Sequence, residues 1–430
     1  MFQVASLRLI KLLFPRVVCL KATAPYCVQP GEKRAGSILS SRECRQPTEN
    51  APIIEKLPFQ RYSDDIVRTG ISVTNACENN VLSLIDSVPV PSASGVFTIG
   101  DYGTSDGAVS QQLIHKIIER LRKKHGQDLN IQVLYEDQPS NDFNSLFKRV
   151  YEKTSYLSHF SKVFPLACGT SFYEQCVPEK SCDLIIATLA SHWLSTDNFV
   201  RSSNSIFPWL STSREELGAY KETCQYNWEQ FLHFRARELK LGGVLFVAQT
   251  LRPTGKQSQP DSGHRETGTH DTLVDLDLSW KTLYTEGLIT EEEFQACTIQ
   301  MAMPSLQEIK APFDGLKSRV RPLGLSFLQE PEQLIVPSTA ISLWRKKIKT
   351  DGGDDRGCFA DLLTKETRFW SERTFRNSLV NTRSADEQSA IINRLYHTFH
   401  SKVAAKDPEN YQSDWVLCTL AAQKCNQTCQ

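Results

Sequence analysis

Apolar and polar positions follow two rhythms along this chain. Val109, Leu113, Ile114, Ile117, Ile118 and Leu121 recur every three or four residues, which predicts an amphipathic helix with one buried stripe. Arg122, Lys123 and Lys124 close it before Gly126; cations suit the partly negative end of a helix, and glycine stops it. Helices are also predicted over residues 62–87 and 213–239, the second halted by Gly242 and Gly243. Between them lie short apolar stretches at 96–99, 131–135, 183–189 and 244–249, which read as buried strands. Strands that alternate with helices predict an α/β fold, a parallel sheet covered by helices on its faces. Ligands then sit at the carboxyl ends of the strands.

The rest of the chain is less regular. Residues 253–270 are polar and rich in Gly, Ser and Thr, and predict a mobile loop. Mixed, mostly helical sequence follows, with a further loop at 351–357 and two late strands at 325–328 and 415–420. No internal repeat is visible.

Composition narrows the class. The chain has 430 residues, 40% hydrophobic and 23% charged, as in soluble globular proteins. Lysine plus arginine equals aspartate plus glutamate at 49 each, which leaves no overall footprint for nucleic acid. The 13 cysteines show no CxxC pair and no zinc-site spacing with histidine, so free thiols in a reducing compartment are expected. The first acid is Glu32, and Arg8, Lys11, Arg16 and Lys21 punctuate an apolar N-terminal stretch. That pattern is expected of a mitochondrial targeting leader, against a plain cytoplasmic extension. No uncharged apolar stretch elsewhere is long enough to span a bilayer.

The chemistry concentrates between residues 96 and 144. The first strand leads to Asp101 and a glycine-bearing turn, Asp101-Tyr102-Gly103-Thr104-Ser105-Asp106-Gly107. Gly103 and Gly107 are expected to let the backbone approach a ligand closely, with helix amides behind them. The second strand ends at Asp137, where a carboxylate can accept both hydroxyls of a ribose. The interval from Asp101 is 36 residues, longer than the roughly 20 of the dehydrogenase fingerprint, and the GxGxxG pattern is absent. An adenosine-bearing ligand without a pyrophosphate fits better than a dinucleotide.

At this point the residues resemble a known family, the salicylate, jasmonate and benzoate carboxyl methyltransferases, or SABATH family. Phe97-Thr98-Ile99-Gly100-Asp101-Tyr102-Gly103 resembles its first motif. Gln138-Pro139-Ser140-Asn141-Asp142-Phe143-Asn144-Ser145-Leu146-Phe147 resembles its "LPxNDFNxLF" block. Gly169-Thr170-Ser171-Phe172-Tyr173, Ala190-Ser191-His192-Trp193-Leu194-Ser195 and Glu286-Gly287-Leu288-Ile289 resemble three later blocks, in family order. The resemblance implies a Rossmann-like, S-adenosylmethionine-dependent methyltransferase sheet with a helical cap. It divides the chain into a leader and linker (1–50), an N-terminal helix plus core (51–252), a mobile loop and cap (253–410) and a final strand and tail (411–430).

The implied cofactor is S-adenosyl-L-methionine, with Tyr62, Asp101, Gly103, Asp137, Gln138, Ser171 and Phe172 around it. Asp101 and Gly103 take the methionine end, Asp137 the ribose, and Gln138, Ser171 and Phe172 the adenine. Trp193 is implied to donate its indole N–H to a substrate carboxylate, with His192 beside it. No catalytic side chain, metal or redox group is implied, only positioning. The acceptor is expected to be a small molecule and the assembly a homodimer.

Departures from the family fall on the acceptor side. The glutamine that pairs with the tryptophan falls at Thr69, a tyrosine at Leu189, an asparagine at Val109 and a second indole near Leu273. They mark a divergent member, expected from outside plants, with a bulkier or more aliphatic acceptor. Methyl-ester formation is the leading expectation. Methylation of nitrogen or sulfur, and a non-catalytic binding module, stand beside it.

Overall fold

The computed structural model describes residues 59–91, 95–195, 199–252, 270–314, 318–351 and 355–426, with the side chains of 59–69, 270 and 351 outside that set. The expected targeting leader and the expected loop over 253–270 therefore lie outside the described residues, apart from the backbone of His270.

Helix α1 (Phe59–Ile85) precedes strand β1 (Val96–Tyr102), helix α2 (Gln111–His125), β2 (Asn130–Asp137), α3 (Phe143–Val150), β3 (Val163–Gly169), β4 (Cys182–Thr188), α4 (Arg214–Glu238) and β5 (Leu239–Thr250). Then come α5 (His270–Thr285), α6 (Glu291–Ala296), α7 (Leu306–Lys310), β6 (Leu325–Val336), α8 (Thr339–Asp351), α9 (Arg356–Ser378), α10 (Ala385–Ala404) and β7 (Trp415–Lys424). The seven strands form one sheet in the order β3-β2-β1-β4-β5-β7-β6. No helix of the described residues is long and apolar enough to cross a membrane.

The stripe read from the sequence is the buried face of α2: Leu113, Ile114, Ile117, Ile118 and Leu121. It packs with Val73, Cys77 and Val81 of α1 against β1 and β2. β4 is buried along nearly its whole length, as expected of a central strand covered on both faces.

Two expectations need correction. The sheet is mixed, since β7 runs antiparallel between β5 and β6. Hydrophobic period reports burial and carries no strand direction. β3 was not legible at all. It pairs only with β2, exposes Phe164 and Leu166, and places Pro165 opposite Val133; proline is confined to edges because it donates no ladder hydrogen bond. β4 keeps its predicted length; the remaining strands are longer than predicted, and β1 continues through Asp101 and Tyr102.

The helices from 270 to 404 have a core of their own, built on Trp280, Phe359, Phe375, Leu395 and Phe399. Serine or threonine caps with a reciprocal glutamate start α6, α7 and α10. This helical layer gives the carboxyl ends of β1, β4 and β5 a roof.

Candidate functional site

Parallel register sets the site. Asp101 lies opposite Tyr135 on one side and Ile186 on the other, so the acids of β1 and β2 emerge at the same end of the sheet. The backbone then turns at 103–107. Gly103 and Thr104 donate their N–H groups to Glu136 O at 2.9 and 3.0 Å. Ser105 N donates to Asp137 Oδ2 at 2.7 Å. Thr104 and Ser110 hydroxyls both donate to Asp101 Oδ2, at 2.7 and 2.6 Å. Asp101 is thus buried beneath the turn and shapes it. Burial pushes its carboxyl up to about 6, against the two hydroxyl donors.

The glycines also have a purpose within the fold that was not expected. Gly103 and Gly107 have φ of +75° and +74°. A Cβ at Gly103 would meet Ala190 Cβ at 2.3 Å, and one at Gly107 would meet Leu146 Cδ1 at 2.6 Å. The missing side chains make room for protein neighbours. Two non-glycine residues in the same wall, Ser105 (φ 52°) and Leu189 (φ 54°), also sit in the left-handed region, where strain is tolerated only under strong surrounding constraint.

A cavity of about 230 Å³ opens on this turn. Gly103, Thr104 and Ser105 form one wall, Thr188 and Leu189 the end of β4, and His192 and Trp193 the next segment. Met301, Met303, Trp415 and the α9 residues Leu363, Glu366, Phe369 and Trp370 complete it. None of these contributions was legible, because residues distant in sequence converge only in the fold. No lysine or arginine lines it among the described residues. Burial pushes His192 down to about 4, so its imidazole is neutral at pH 7. Thr188 Oγ1 and His192 Nδ1 are buried with no hydrogen-bond partner among the described residues. The Trp193 carbonyl accepts from Tyr173 Oη at 2.6 Å, while the side chain lines the cavity and its indole N–H has no acceptor among the described residues. Glu366 takes a hydrogen bond from Trp415 Nε1 at 3.3 Å.

Of the expected residues, Gly103, His192 and Trp193 line this cavity together. Asp137 stands beside it through Ser105. Phe172 packs on the far side of Gly103, its ring 3.9 Å from where a Cβ would stand. Gln138 is exposed and Ser171 half-buried, and neither lines the cavity. Tyr62 falls in the first turns of α1, its side chain outside the described residues, as is that of Thr69. Val109, Leu189 and Leu273, three of the departures, do line the cavity.

A buried network missed from the sequence fixes Phe172. Arg235, fully buried, donates to Glu238 at 2.7 and 3.0 Å, to Phe172 O at 2.7 Å and to Glu174 O at 2.9 Å. Its guanidinium lies 4.4 Å from the Tyr102 ring centroid. Close by, Glu136 is buried with Oε1 unpartnered among the described residues, and burial pushes its carboxyl up to about 8. The folded state therefore holds a proton that the unfolded chain releases near 4.5. Stability should fall as pH rises through that window and level off above about 8. Glu136→Gln should flatten the decline in urea midpoints measured from pH 5 to 8; an unchanged slope would assign the decline to another group.

With this geometry in hand, similarity to known proteins is decisive. A family described as SAM dependent carboxyl methyltransferase matches residues 68–316, more than half of the chain. The chain belongs to this carboxyl methyltransferase family. Its family relatives include gibberellic acid methyltransferase 2 of Arabidopsis thaliana, 29% identical over 248 residues, which cover 54% of this chain and 63% of the relative. Indole-3-acetate O-methyltransferase 1 of Oryza sativa subsp. japonica is 29% identical over 246 residues, 51% of this chain and 59% of the relative. The match thus spans less than two thirds of each of these relatives. Among solved structures, loganic acid methyltransferase with SAH aligns with a TM-score of 0.64 at 17% identity, over 85% of this chain and 96% of that one. At that identity the likeness shows the family's Rossmann-like methyltransferase fold.

Proposed function

We propose that this protein transfers the methyl group of S-adenosylmethionine to a carboxylate oxygen of a small, largely apolar acid. The observation that carries the reading is the cavity that joins the 103–105 turn to the Trp193 indole, with no cationic side chain in its wall. The residues fit the cofactor. Asp137 presents a carboxylate at the end of β2 for the ribose hydroxyls, and Gly103 with Asp101 gives the turn for the methionine end. Phe172, Ser171 and Gln138 flank the adenine, and Tyr62 comes from α1.

The bound cofactor supplies an electrophilic methyl on a sulfonium. The protein's part is orientation and the exclusion of water. A carboxylic acid with a pKa near 4 is already ionised at pH 7, so no base is needed. Trp193 Nε1–H donates to that carboxylate, and neutral His192 adds no charge. An anion held by neutral donors, away from water and lysine, keeps its reactivity. Correct placement can supply on the order of 7–11 kcal/mol at best.

A second reading rests on Glu366, a carboxyl in a cavity without lysine or arginine. A positively charged amine would complement that negative wall. The test is calorimetry with S-adenosylmethionine, followed by transfer assays on paired acids and amines. Asp137→Ala should weaken cofactor binding about 10–100-fold, as loss of charge-assisted hydrogen bonds does. Unchanged affinity would displace the ribose contact from Asp137. Transfer to amines alone would replace the ester reading with the second one.

A further inference from the structure

A second cavity, also about 230 Å³, lies behind the wall that carries Trp193. Two segments, a turn at 190–194 and an irregular stretch at 300–304, make that wall. Ala302 N donates to His192 O at 2.7 Å, Leu194 N donates to Gln300 O at 2.9 Å, and Trp193 bridges Met301. Their side chains sort to opposite sides. His192, Trp193 and Met301 face the first cavity, while Ser191, Leu194, Ala302 and Pro304 face the second. Thr250 and Gln249 of β5 divide in the same way, and Met303 touches both.

The second lining has a different chemistry. It includes Lys221 and Arg252 against one acid, Glu308, which Arg252 contacts at 3.3 Å. No ion pair of Lys221 occurs among the described residues. Gln249 is 3% exposed, and its Oε1 accepts from Ser191 Oγ at 2.9 Å. That bond fixes the amide and leaves its N–H₂ with no acceptor among the described residues. The remaining walls are apolar or already satisfied. Trp228 Nε1 donates to Ile309 O at 3.0 Å, and Tyr220 Oη donates to Met301 O at 3.2 Å.

We infer that this second cavity binds a small amphipathic carboxylate, separately from the acceptor cavity. The Gln249 amide and the Lys221 and Arg252 cations meet the carboxylate, and Leu194, Trp228 and Met303 meet the hydrocarbon. A net lining charge of +1 and a largely apolar wall suit an organic monoanion better than a strongly hydrated phosphate. Because the two cavities share one wall, whatever fills the second bears on the backbone that holds His192 and Trp193.

The test is fluorine NMR titration of the full chain with 4-fluorophenylacetate, which needs no methyl transfer and so is independent of the proposed reaction. Leu363→Trp fills the first cavity; Lys221→Gln with Arg252→Gln strips charge from the second. Circular dichroism checks that the variants fold. Binding should persist in Leu363→Trp, where only the second cavity is open, and weaken at least tenfold when Lys221→Gln and Arg252→Gln are added to that background. Loss of binding in Leu363→Trp, or no weakening when the two charge changes are added, would overturn the proposal. So would equal binding of the uncharged 2-(4-fluorophenyl)ethanol, or no saturable binding to the folded wild-type protein.

Discussion

Arg235→Ala is expected to lower the unfolding free energy by about 3–5 kcal/mol, as removal of one partner from a buried ion pair does. Arg235 and Glu238 are both fully buried, so the change leaves a carboxylate in an apolar interior. Tyr102 Oη at 2.8 Å and Cys176 N at 2.6 Å still donate to Glu238, which moderates the loss without replacing the charge. The effect reaches beyond stability. Arg235 also holds the carbonyls of Phe172 and Glu174, so cofactor affinity should fall in the protein that still folds. Replacing both Arg235 and Glu238 with methionine separates the two roles. Stability should largely return, because an apolar pair of similar volume can match a buried ion pair, while the 172–176 segment stays unclamped and affinity stays low. Urea denaturation and calorimetry read the two quantities. A loss below about 1 kcal/mol for Arg235→Ala would mean that the pair is not a structural anchor.

Gly103→Ala is expected to cost about 2–5 kcal/mol and to abolish cofactor binding. Two sources add. A side chain at φ +75° costs about 1–2 kcal/mol, and a Cβ placed 2.3 Å from Ala190 Cβ forces a shift of the kind that costs about 1–3 kcal/mol in packed cores. The companion change Ala190→Gly removes the overlap and leaves the backbone strain. Gly103→Ala/Ala190→Gly should therefore regain stability relative to Gly103→Ala but remain below wild type. If the pair of changes recovers nothing, the collision with Ala190 is not the cause.

Much of this fold was legible because burial writes itself into period. The α2 stripe and the buried strands β1, β2, β4 and β5 were all read from apolar spacing. Strand direction was not, since an antiparallel β7 and a parallel neighbour bury the same residues. β3 escaped because its Pro165 and its exposed Phe164 and Leu166 break the pattern that marks a buried strand. The site divides in the same way. Asp101, Gly103 and Asp137 follow one another along two adjacent strands, so their convergence could be read. Met301, Glu366 and Trp415 reach the cavity from a loop, α9 and β7, and nothing local announces it. Gly107 shows what spacing leaves out: its missing side chain makes room for Leu146, a neighbour that only the fold brings there.

The proline of β3 bears on how the molecule behaves in company. An outermost strand with apolar side chains invites a strand from another chain to continue the ladder, and that is a common route to aggregation. Pro165 sits mid-strand, between the exposed Phe164 and Leu166. It has no N–H to offer an incoming backbone, so the ladder cannot continue through that point. The residue that hid β3 from the sequence also keeps the sheet from growing past it.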